Sequence, residues 1–404
     1  MDLTLTGMAY GGDAFGRSEQ GEMVFVPFAL PGERVRVDVI EAHKRWCRGR
    51  LLEILEPSPA RQDPRCPHFG LCGGCHYQHL SYADQLTIKS EILQSQFERI
   101  GGLGNPPLMP IHPSPSPWNT RNHIQFSLTP TGQLGFVTAD GNRVFPVEAC
   151  HLPEPTLVDL WPRIQFESIE GLERVVLRAG VDDDCMIIME ADRDPDVEVA
   201  IDLAASIVWR SPTGSFVLAG ESSLPIEVLG RQFRVSAGSF FQVHTTMAAE
   251  LVRKITAALE LMPGETVFDL YAGVGLFSAF LAEADIHVIA VESSPWACSD
   301  FEFNLEEFDN IELYEASVES ALPAIPKQAD AVLVDPPRAG LNKAVLQQLI
   351  ERSPKRLVYL SCDTATLARD SKRLVEGGFH LDQATPIDLF PQTYHIETLT
   401  VWSR

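Results

Sequence analysis

The sequence has no apolar run approaching the ~18 residues that a bilayer-crossing helix needs, and no low-complexity tract or internal repeat interrupts it. Its opening, Met1-Asp2-Leu3-Thr4, carries neither a basic leader nor an apolar stretch. No signal peptide is therefore expected, and the expected location is cytoplasmic, away from membranes. Positive charge is scarce: 32 Lys and Arg stand against 55 Asp and Glu, a formal net charge of −23. A chain this acidic does not grip nucleic acid over its whole surface. The deficit is uneven, because residues 1–60 hold 7 basic and 9 acidic side chains, whereas the remainder holds 25 and 46. Contact with nucleic acid must run through local patches, and the dense one is His43-Lys44-Arg45-Trp46-Cys47-Arg48-Gly49-Arg50. Cysteine is sparse too, with eight residues unevenly placed at 47, 66, 72, 75, 150, 185, 298 and 362. In a cytoplasmic chain that pattern argues against a disulfide framework and for cofactor binding and catalysis. Cys185 and Cys298, in ordinary apolar contexts, read as buried small residues.

What is present is enough for more than one core: 404 residues, 45% of them apolar, predict two to three domains. Residues 1–57 read as a small all-β domain, with strands at 23–29, 34–41 and 48–56 between Gly-Gly, Pro-Gly and charged turns. Residues 58–235 form a central domain. It opens on a Cys-, His-, Gly- and Pro-rich loop with no period of either kind, so an external constraint must hold it. A helix over 82–100 follows, ended by Gly101-Gly102, then a Pro-rich connection over 106–117. From there the segment is mainly β, with strands expected at 123–129, 175–179, 185–190, 216–219 and 226–228 and one helix over 195–205 capped by Asp194. Residues 236–404 alternate strands and helices, which predicts an α/β, doubly wound Rossmann-like domain with a parallel sheet. Its last two strands have no helix between them, as in methyltransferase-type folds.

Two of these strand ends and a glycine turn carry the chemistry. Val267-Phe268-Asp269-Leu270-Tyr271-Ala272-Gly273-Val274-Gly275 is an apolar strand entering a glycine turn before a helix, where a ligand approaches the backbone. The third glycine of a dinucleotide fingerprint would fall at Ser278, so pyrophosphate binding is not supported. The next strand ends in Glu292, about 20 residues on, where a carboxylate accepts ribose hydroxyls. S-adenosylmethionine fits this arrangement better than NAD. Farther on, Val334-Asp335-Pro336-Pro337 forces the chain out of a strand and stiffens it. The following strand ends at Ser361-Cys362-Asp363, which sets Cys362 beside Asp335 on the sheet's active edge.

Asp335-Pro-Pro-Arg-Ala-Gly340, Ser361-Cys-Asp-Thr-Ala-Thr-Leu-Ala-Arg-Asp370 and Asp388-Leu-Phe-Pro-Gln-Thr-Tyr-His-Ile-Glu397-Thr resemble the RNA uracil-C5 methyltransferases. Phe240-Phe241-Gln242-Val243 and Asp269-Leu-Tyr-Ala-Gly-Val-Gly275 extend the resemblance in the same order, over nearly the whole chain. It implies Cys362 as covalent nucleophile, Glu397 as the base, and Gln242, Tyr271, Gly273, Glu292 and Asp335 around the cofactor and base pocket. The chemistry asks for the same parts, since carbon 5 of uracil becomes nucleophilic only after a thiolate adds at carbon 6, and a base must then remove the carbon 5 proton. One departure stands beside the nucleophile: members have Asn-Pro where this chain has Asp363-Thr364, and a carboxylate there raises the thiol pKa.

Cys66-x5-Cys72-x2-Cys75, with Cys150 far downstream, offers four thiolates that suit zinc or an iron–sulfur cluster, and spacing alone does not decide. The resemblance to TRAM-containing members implies a [4Fe-4S] cluster, with zinc as the alternative, in a structural role at an RNA-facing loop. His68, His76, His79 and His151 read as surface or supporting residues. Residues 1–57 resemble a TRAM domain, a small OB-like β-barrel that holds RNA, in which Trp46 could stack on a base while Lys44, Arg45 and Arg48 meet phosphates. Trp118-Asn-Thr-Arg121-Asn-His123 resembles the segment that begins the family's central domain, so Arg121 joins the expected RNA contacts. The expected activity is methylation of a specific uridine by a monomer, with 23S rRNA the first target and tRNA the second. Cytosine-C5 methylation is disfavoured because those enzymes carry Pro-Cys at the nucleophile, where this chain has Ser361-Cys362. A catalytically inactive iron–sulfur RNA-binding protein is disfavoured by the presence of both Cys362 and Glu397.

Overall fold

The computed structural model describes residues 1–164, 169–197 and 204–404. The first unit is a closed five-stranded barrel, in the order Asp2–Met8, Ala14–Arg17, Met23–Val26, Trp46–Glu56, Arg34–Ala42. Alternation builds it: Leu3, Leu5, Val24, Val26, Val35, Val37 and Cys47 point inward and are buried, while their neighbours face solvent. The strands Asp2–Met8 and Ala14–Arg17 are not among those expected from the sequence, because each contains a glycine, Gly7 or Gly16, that weakens a β signal, and the second is only 4 residues long. Glu33, fully buried, ties the barrel to the start of the central domain. It accepts the backbone N–H of Leu30 at 2.9 Å and the Arg61 Nε at 2.5 Å.

A seven-stranded central sheet among the described residues runs Gly214–Ala219, Ser206–Ser211, Cys185–Ala191, Leu172–Ala179, His123–Leu128, Leu134–Val137, Val144–Pro146. Phe126, Val175, Leu177, Ile187 and Trp209 form its core with Leu157, Leu160 and Trp161. Cys185 is buried there, as expected. The helix expected over 195–205 falls largely on residues 198–203, outside the described residues. Asp194, expected to cap it, accepts the Ser211 hydroxyl at 2.6 Å instead.

The hairpin Ser223–Val228 and Arg231–Ser236 lays Leu224, Ile226, Phe233 and Val235 into the core of the C-terminal domain. That domain's sheet has seven strands, in the spatial order Ile311–Glu315, His287–Glu292, Thr266–Leu270, Ala331–Val334, Arg356–Ser361, Glu397–Ser403, His380–Ile387. The first five are parallel and Glu397–Ser403 is antiparallel to both its neighbours. Both faces are covered, so alternate residues enter two different cores. Val267, Leu333, Val358 and Leu360 pack on one side, and Phe268, Val332, Val334 and Tyr359 on the other. The chain order reverses between Thr266–Leu270 and Ala331–Val334, and the crevice at that reversal lies beyond the strands' carboxyl ends.

Helix Tyr82–Arg99 starts at Ser81, whose hydroxyl accepts the Asp84 N–H at 3.2 Å, and it packs against helix Thr364–Glu376. The Pro-rich connection covers the edge strand His380–Ile387, where Met109 and His112 donate to the Ala384 and Pro386 carbonyls, both at 2.8 Å. No helix among the described residues is long and apolar enough to cross a membrane.

Lys89, fully buried in helix Tyr82–Arg99, donates to Asp388 Oδ1 at 2.6 Å and to the Phe390 carbonyl at 3.0 Å. Removing one partner of such a pair leaves the other charge buried and unpaired. Lys89→Met is expected to lower stability to chemical denaturation by about 3–5 kcal/mol, and adding Asp388→Asn to recover part of it. A Lys89→Met protein as stable as the parent would refute a structural role for the pair.

Candidate active site

The glycine turn after Thr266–Leu270 is bent into an open shelf. Tyr271 takes φ +70°, rare for a side chain of its size, and the Tyr271 and Ala272 N–H groups donate to the Val291 carbonyl at 3.0 and 3.1 Å. Gly273 (φ +58°) has nothing within 4 Å of a would-be Cβ, so its backbone is free to meet a ligand. Gly275 is required for a different reason: at φ +89°, a Cβ would sit 2.3 Å from Leu305 Cδ1. Glu292 accepts the N–H groups of Gly273 at 2.9 Å and of Ser293 and Ser294 at 2.7 Å. Those bonds fix the carboxylate and leave lone-pair capacity for a ribose hydroxyl. Beneath the turn, Asp269 accepts the Ser278 hydroxyl at 2.6 Å, and burial pushes its pKa up to about 6.

A second wall comes from residues 236–243. Asp300, fully buried, accepts the Ser236 N–H at 2.8 Å and the Ser239 hydroxyl at 2.6 Å, and buried Arg178 donates to the Ser236 and Ser239 carbonyls. Asn122 then joins the two segments singled out in the sequence. Its side chain donates to the Gln242 carbonyl at 3.0 Å, and its N–H donates to the Val243 carbonyl at 2.9 Å. Asn122 stands inside a segment singled out in the sequence, whereas Arg178 and Asp300 are isolated residues that carry no motif.

One cavity of about 1410 Å³ gathers Gln242, Tyr271, Gly273, Glu292, Asp335, Cys362 and Glu397. All seven cofactor and catalytic candidates therefore share a single space. Asp335 and Cys362 lie at the ends of adjacent parallel strands, and Glu397 begins the strand beside Cys362. Burial, then the Asp335 charge, holds the Glu397 carboxyl well above its usual range. Burial, then Asp269, pushes Asp335 up to about 7. Burial pushes the Cys362 thiol up to about 12, with Glu397 and Asp335 the next causes, Arg338 opposing them, and Asp363 last among the causes. The Asp363 departure is thus a smaller burden than the two carboxylates across the cavity. Arg338 also lines the cavity and stands in a motif already singled out, yet nothing in that motif reveals its role. Phe240, 70% exposed, offers an open aromatic face to the same space.

Cys66, Cys72, Cys75, Cys150 and Arg121 line the far part of the cavity. The cysteine loop docks on the central sheet: Gly73 donates to the Val137 carbonyl at 3.1 Å, and His68 Nε2 accepts the Glu148 N–H at 3.1 Å next to the Cys150 segment. Burial pushes the Cys75 thiol up to about 12 and the Cys150 thiol up to about 11, while Arg121 draws both down. No group of three His, Cys, Asp or Glu side chains among the described residues is arranged to hold a metal ion. His79, expected at the surface or in support, is fully buried. Lys44, Arg45, Trp46 and Arg48 lie elsewhere, around the barrel hairpin between Arg34–Ala42 and Trp46–Glu56. Lys44 and Arg45 are exposed, Trp46 stacks on His43 at 4.0 Å, and Arg48 pairs with Asp13 at 3.2 Å.

The barrel, the strand order with its antiparallel last pair and the shelf at the reversal define an RNA methyltransferase that uses S-adenosylmethionine. The family described as tRNA (Uracil-5-)-methyltransferase matches residues 200–404, and the TRAM domain matches residues 1–52. An "Uncharacterized RNA methyltransferase" of Streptomyces avermitilis is 32% identical over 98% of this chain and 96% of its own. One of Aquifex aeolicus is 32% identical over 99% and 98%. The crystal structure of the Pyrococcus abyssi tRNA (uracil-54, C5)-methyltransferase in complex with S-adenosyl-L-homocysteine superposes with TM-score 0.76 at 26% identity, covering 100% of both chains. The chain belongs to the uracil-C5 methyltransferase family, and it is an S-adenosylmethionine-dependent RNA (uracil-5-)-methyltransferase with an N-terminal TRAM domain.

A carboxyl that stays protonated in the fold up to about 7 but ionises near 4 in the unfolded chain makes folding take up a proton. Its stabilising share is full below the ordinary carboxylate range and is lost as pH rises through the folded value. Asp335→Asn abolishes that dependence, so its stability relative to the parent is expected to rise by about 2 kcal/mol from pH ~5 to pH ~8. Parallel stability–pH curves would show that Asp335 ionises as freely in the fold as in the unfolded chain.

Proposed function

We propose that Cys362 is the attacking thiol and Glu397 the proton-accepting base. The observation that carries this is their placement at the ends of neighbouring strands, Arg356–Ser361 and Glu397–Ser403, in the cavity that also holds the shelf. S-adenosylmethionine supplies an electrophilic methyl group on sulfonium. Gly273 and Glu292 meet it at backbone and ribose, and Gln242, Tyr271 and Asp335 line its cavity. The target base must be unstacked and turned out to reach this depth. Cys362, as thiolate, bonds to carbon 6 and drives electrons onto carbon 5; carbon 5 bonds to the methyl carbon as the methyl–sulfonium bond breaks, its electron pair staying on sulfur in the departing S-adenosylhomocysteine. Glu397 then removes the carbon 5 proton, the 5,6 double bond re-forms, and the thiolate leaves. A carboxyl held this far above its ordinary range is a strong base once ionised. Arg338 is the cation that favours the thiolate.

The division into residues 1–57, 58–235 and 236–404 assigns RNA holding to the first unit and chemistry to the last. Lys44, Arg45, Trp46 and Arg48 are proposed to meet RNA at the barrel, where the first two are exposed, and Arg121 inside the cavity. A uridine of 23S rRNA is the first target, supported by the pairing of a TRAM barrel with a four-cysteine loop. Transfer RNA is the second, favoured by the full-length likeness to the archaeal tRNA enzyme. The enzyme is proposed to act as a cytoplasmic monomer.

Cys66, Cys72, Cys75 and Cys150 are proposed to hold a [4Fe-4S] cluster. The donor set fits: Cys66, Cys72 and Cys75, from a loop without regular structure, and Cys150, from a separate segment, line one cavity. Zinc is the alternative, since four thiolates suit either centre. The cluster would supply no electrons to a methyl transfer and acts structurally, shaping the loop that faces RNA.

Labelled S-adenosylmethionine incubated with total RNA, followed by digestion, should place the label in 5-methyluridine, and mapping should place it in 23S rRNA. Label in 5-methylcytidine would sink the uridine reading, and label confined to tRNA would move the target. Cys362→Ala should abolish turnover while still binding cofactor. Glu397→Gln should accumulate a covalent protein–RNA adduct, and free release of product by that variant would remove Glu397 from its role.

Protein purified without oxygen should contain iron and acid-labile sulfide and absorb broadly in the visible. Cys75→Ser and Cys150→Ser should lose both. Zinc without iron in the intact protein would assign zinc instead, and a metal-free, fully folded protein would refute either centre.

A further inference from the structure

Tyr10 sits on the barrel loop between Asp2–Met8 and Ala14–Arg17, yet its hydroxyl donates to Asp363 Oδ2 at 2.7 Å across 353 residues of chain. The other carboxylate oxygen, Oδ1, accepts the Thr366 N–H at 2.8 Å and so caps helix Thr364–Glu376. The Asp363 N–H donates to the Ser361 hydroxyl oxygen at 3.3 Å. Both sides of Cys362 are therefore held, and both oxygens of Asp363 are engaged.

The barrel loop is itself fixed. The Tyr10 ring stands edge-on against Tyr394 with centroids 5.5 Å apart, and Tyr394 packs on His395 at 4.3 Å. Gly12 lies so near His76 that a Cβ there would come within 3.0 Å of it. The hydroxyl has one place to be.

We propose that Tyr10 is a positioning residue for the reactive thiol: it holds and screens the Asp363 carboxylate, so that the residue after Cys362 caps its helix without turning its charge onto the sulfur. The proposal rests on Cys362 being the nucleophile. An unscreened carboxylate in the next residue disfavours a thiolate, and hydrogen bonds to both its oxygens draw its charge toward the donors. The other groups facing the sulfur are Glu397 from the neighbouring strand, and Asp335 and Arg338 from the loop after Ala331–Val334. Tyr394 and Asp363 face Tyr10. Burial and the Asp363 charge drive the Tyr10 hydroxyl far above its ordinary pKa, so it remains a donor throughout the working range. The RNA-binding barrel thereby reaches into the catalytic centre, and the aspartate that replaces the family's asparagine brings its own partner.

The test reads the thiol directly. Alkylation of Cys362 in the full-length protein, resolved from the other cysteines by mass spectrometry, is followed against pH. Tyr10→Phe keeps the ring against Tyr394 and removes the O–H. It is expected to move the midpoint to higher pH and slow alkylation about threefold at a fixed pH below it. Asp363→Asn keeps the cap and removes the charge, and should move the midpoint down. In the Asp363→Asn background, Tyr10→Phe should have no effect on it. A Tyr10→Phe curve that superimposes on the parent's overturns the proposal, even if turnover falls, because mere docking of the barrel would lower turnover without moving the midpoint. Turnover by Cys362→Ala would instead defeat the nucleophile assignment, while the alkylation curves would still report whether Tyr10 and Asp363 are coupled.

Discussion

The short loop between His380–Ile387 and Glu397–Ser403 is the constraint on which the rest converges. Lys89 grips its first residue through the buried Asp388 ion pair. Gln85 and Gln392 bond reciprocally, the Gln85 amide donating to Gln392 Oε1 at 3.0 Å and the Gln392 N–H returning to Gln85 Oε1 at 3.1 Å. His76 and Tyr77, next to the cysteine loop, both donate backbone N–H groups to the Gln392 carbonyl at 2.8 and 3.0 Å. Tyr10 of the barrel packs on Tyr394. A loop placed between two antiparallel strands would ordinarily be free to move, and here three separate parts of the chain pin it. Because Glu397, the proposed base, lies directly after it, its position is set by the barrel, the cysteine loop and helix Tyr82–Arg99 together.

That convergence explains why a protein with a complete methyltransferase sheet carries so much chain in front of it. The glycine shelf, the cysteine loop and Phe240 all line the cavity, with Arg121 close to Cys75 and Cys150. A buried space lined by Asp335, Glu397 and Cys362 favours the neutral form of each, since burial penalises charge and like charges oppose one another. The site at rest is loaded with protons. Arg338, and the bonds that hold Asp363, are the features that favour the thiolate.

Much of this was legible in the chain. The alternation of Val35 and Val37 with polar neighbours is a β signal, and the strands of the C-terminal sheet read as apolar runs because both their faces are covered. Asp335 and the proposed nucleophile Cys362 were legible because each stands at a strand end, Asp335 before Pro336-Pro337 and Cys362 before a helix. Short strands such as Ala14–Arg17 and Leu134–Val137 were not, because their pairing partners, not their own residues, stabilise them. Arg178 and Asp300 were invisible for a related reason. Each acts on backbone groups far away in sequence, and no local pattern encodes such a contact.

By itself the sequence determined the reaction. The apolar strand into a glycine turn, the Asp335-Pro-Pro bend and the segments around Cys362 and Glu397 resemble the motifs of the uracil-C5 methyltransferases, and that resemblance is written in local runs of residues. Only the tertiary structure decided that Asp363 is a modest burden on the thiol, because Tyr10 arrives from 353 residues away to hold it. It alone set the four cysteines in the same cavity as the catalytic residues and left Lys44, Arg45 and Trp46 outside. Electric fields and burial act through space, and the chain's own order carries no record of which distant groups will share it.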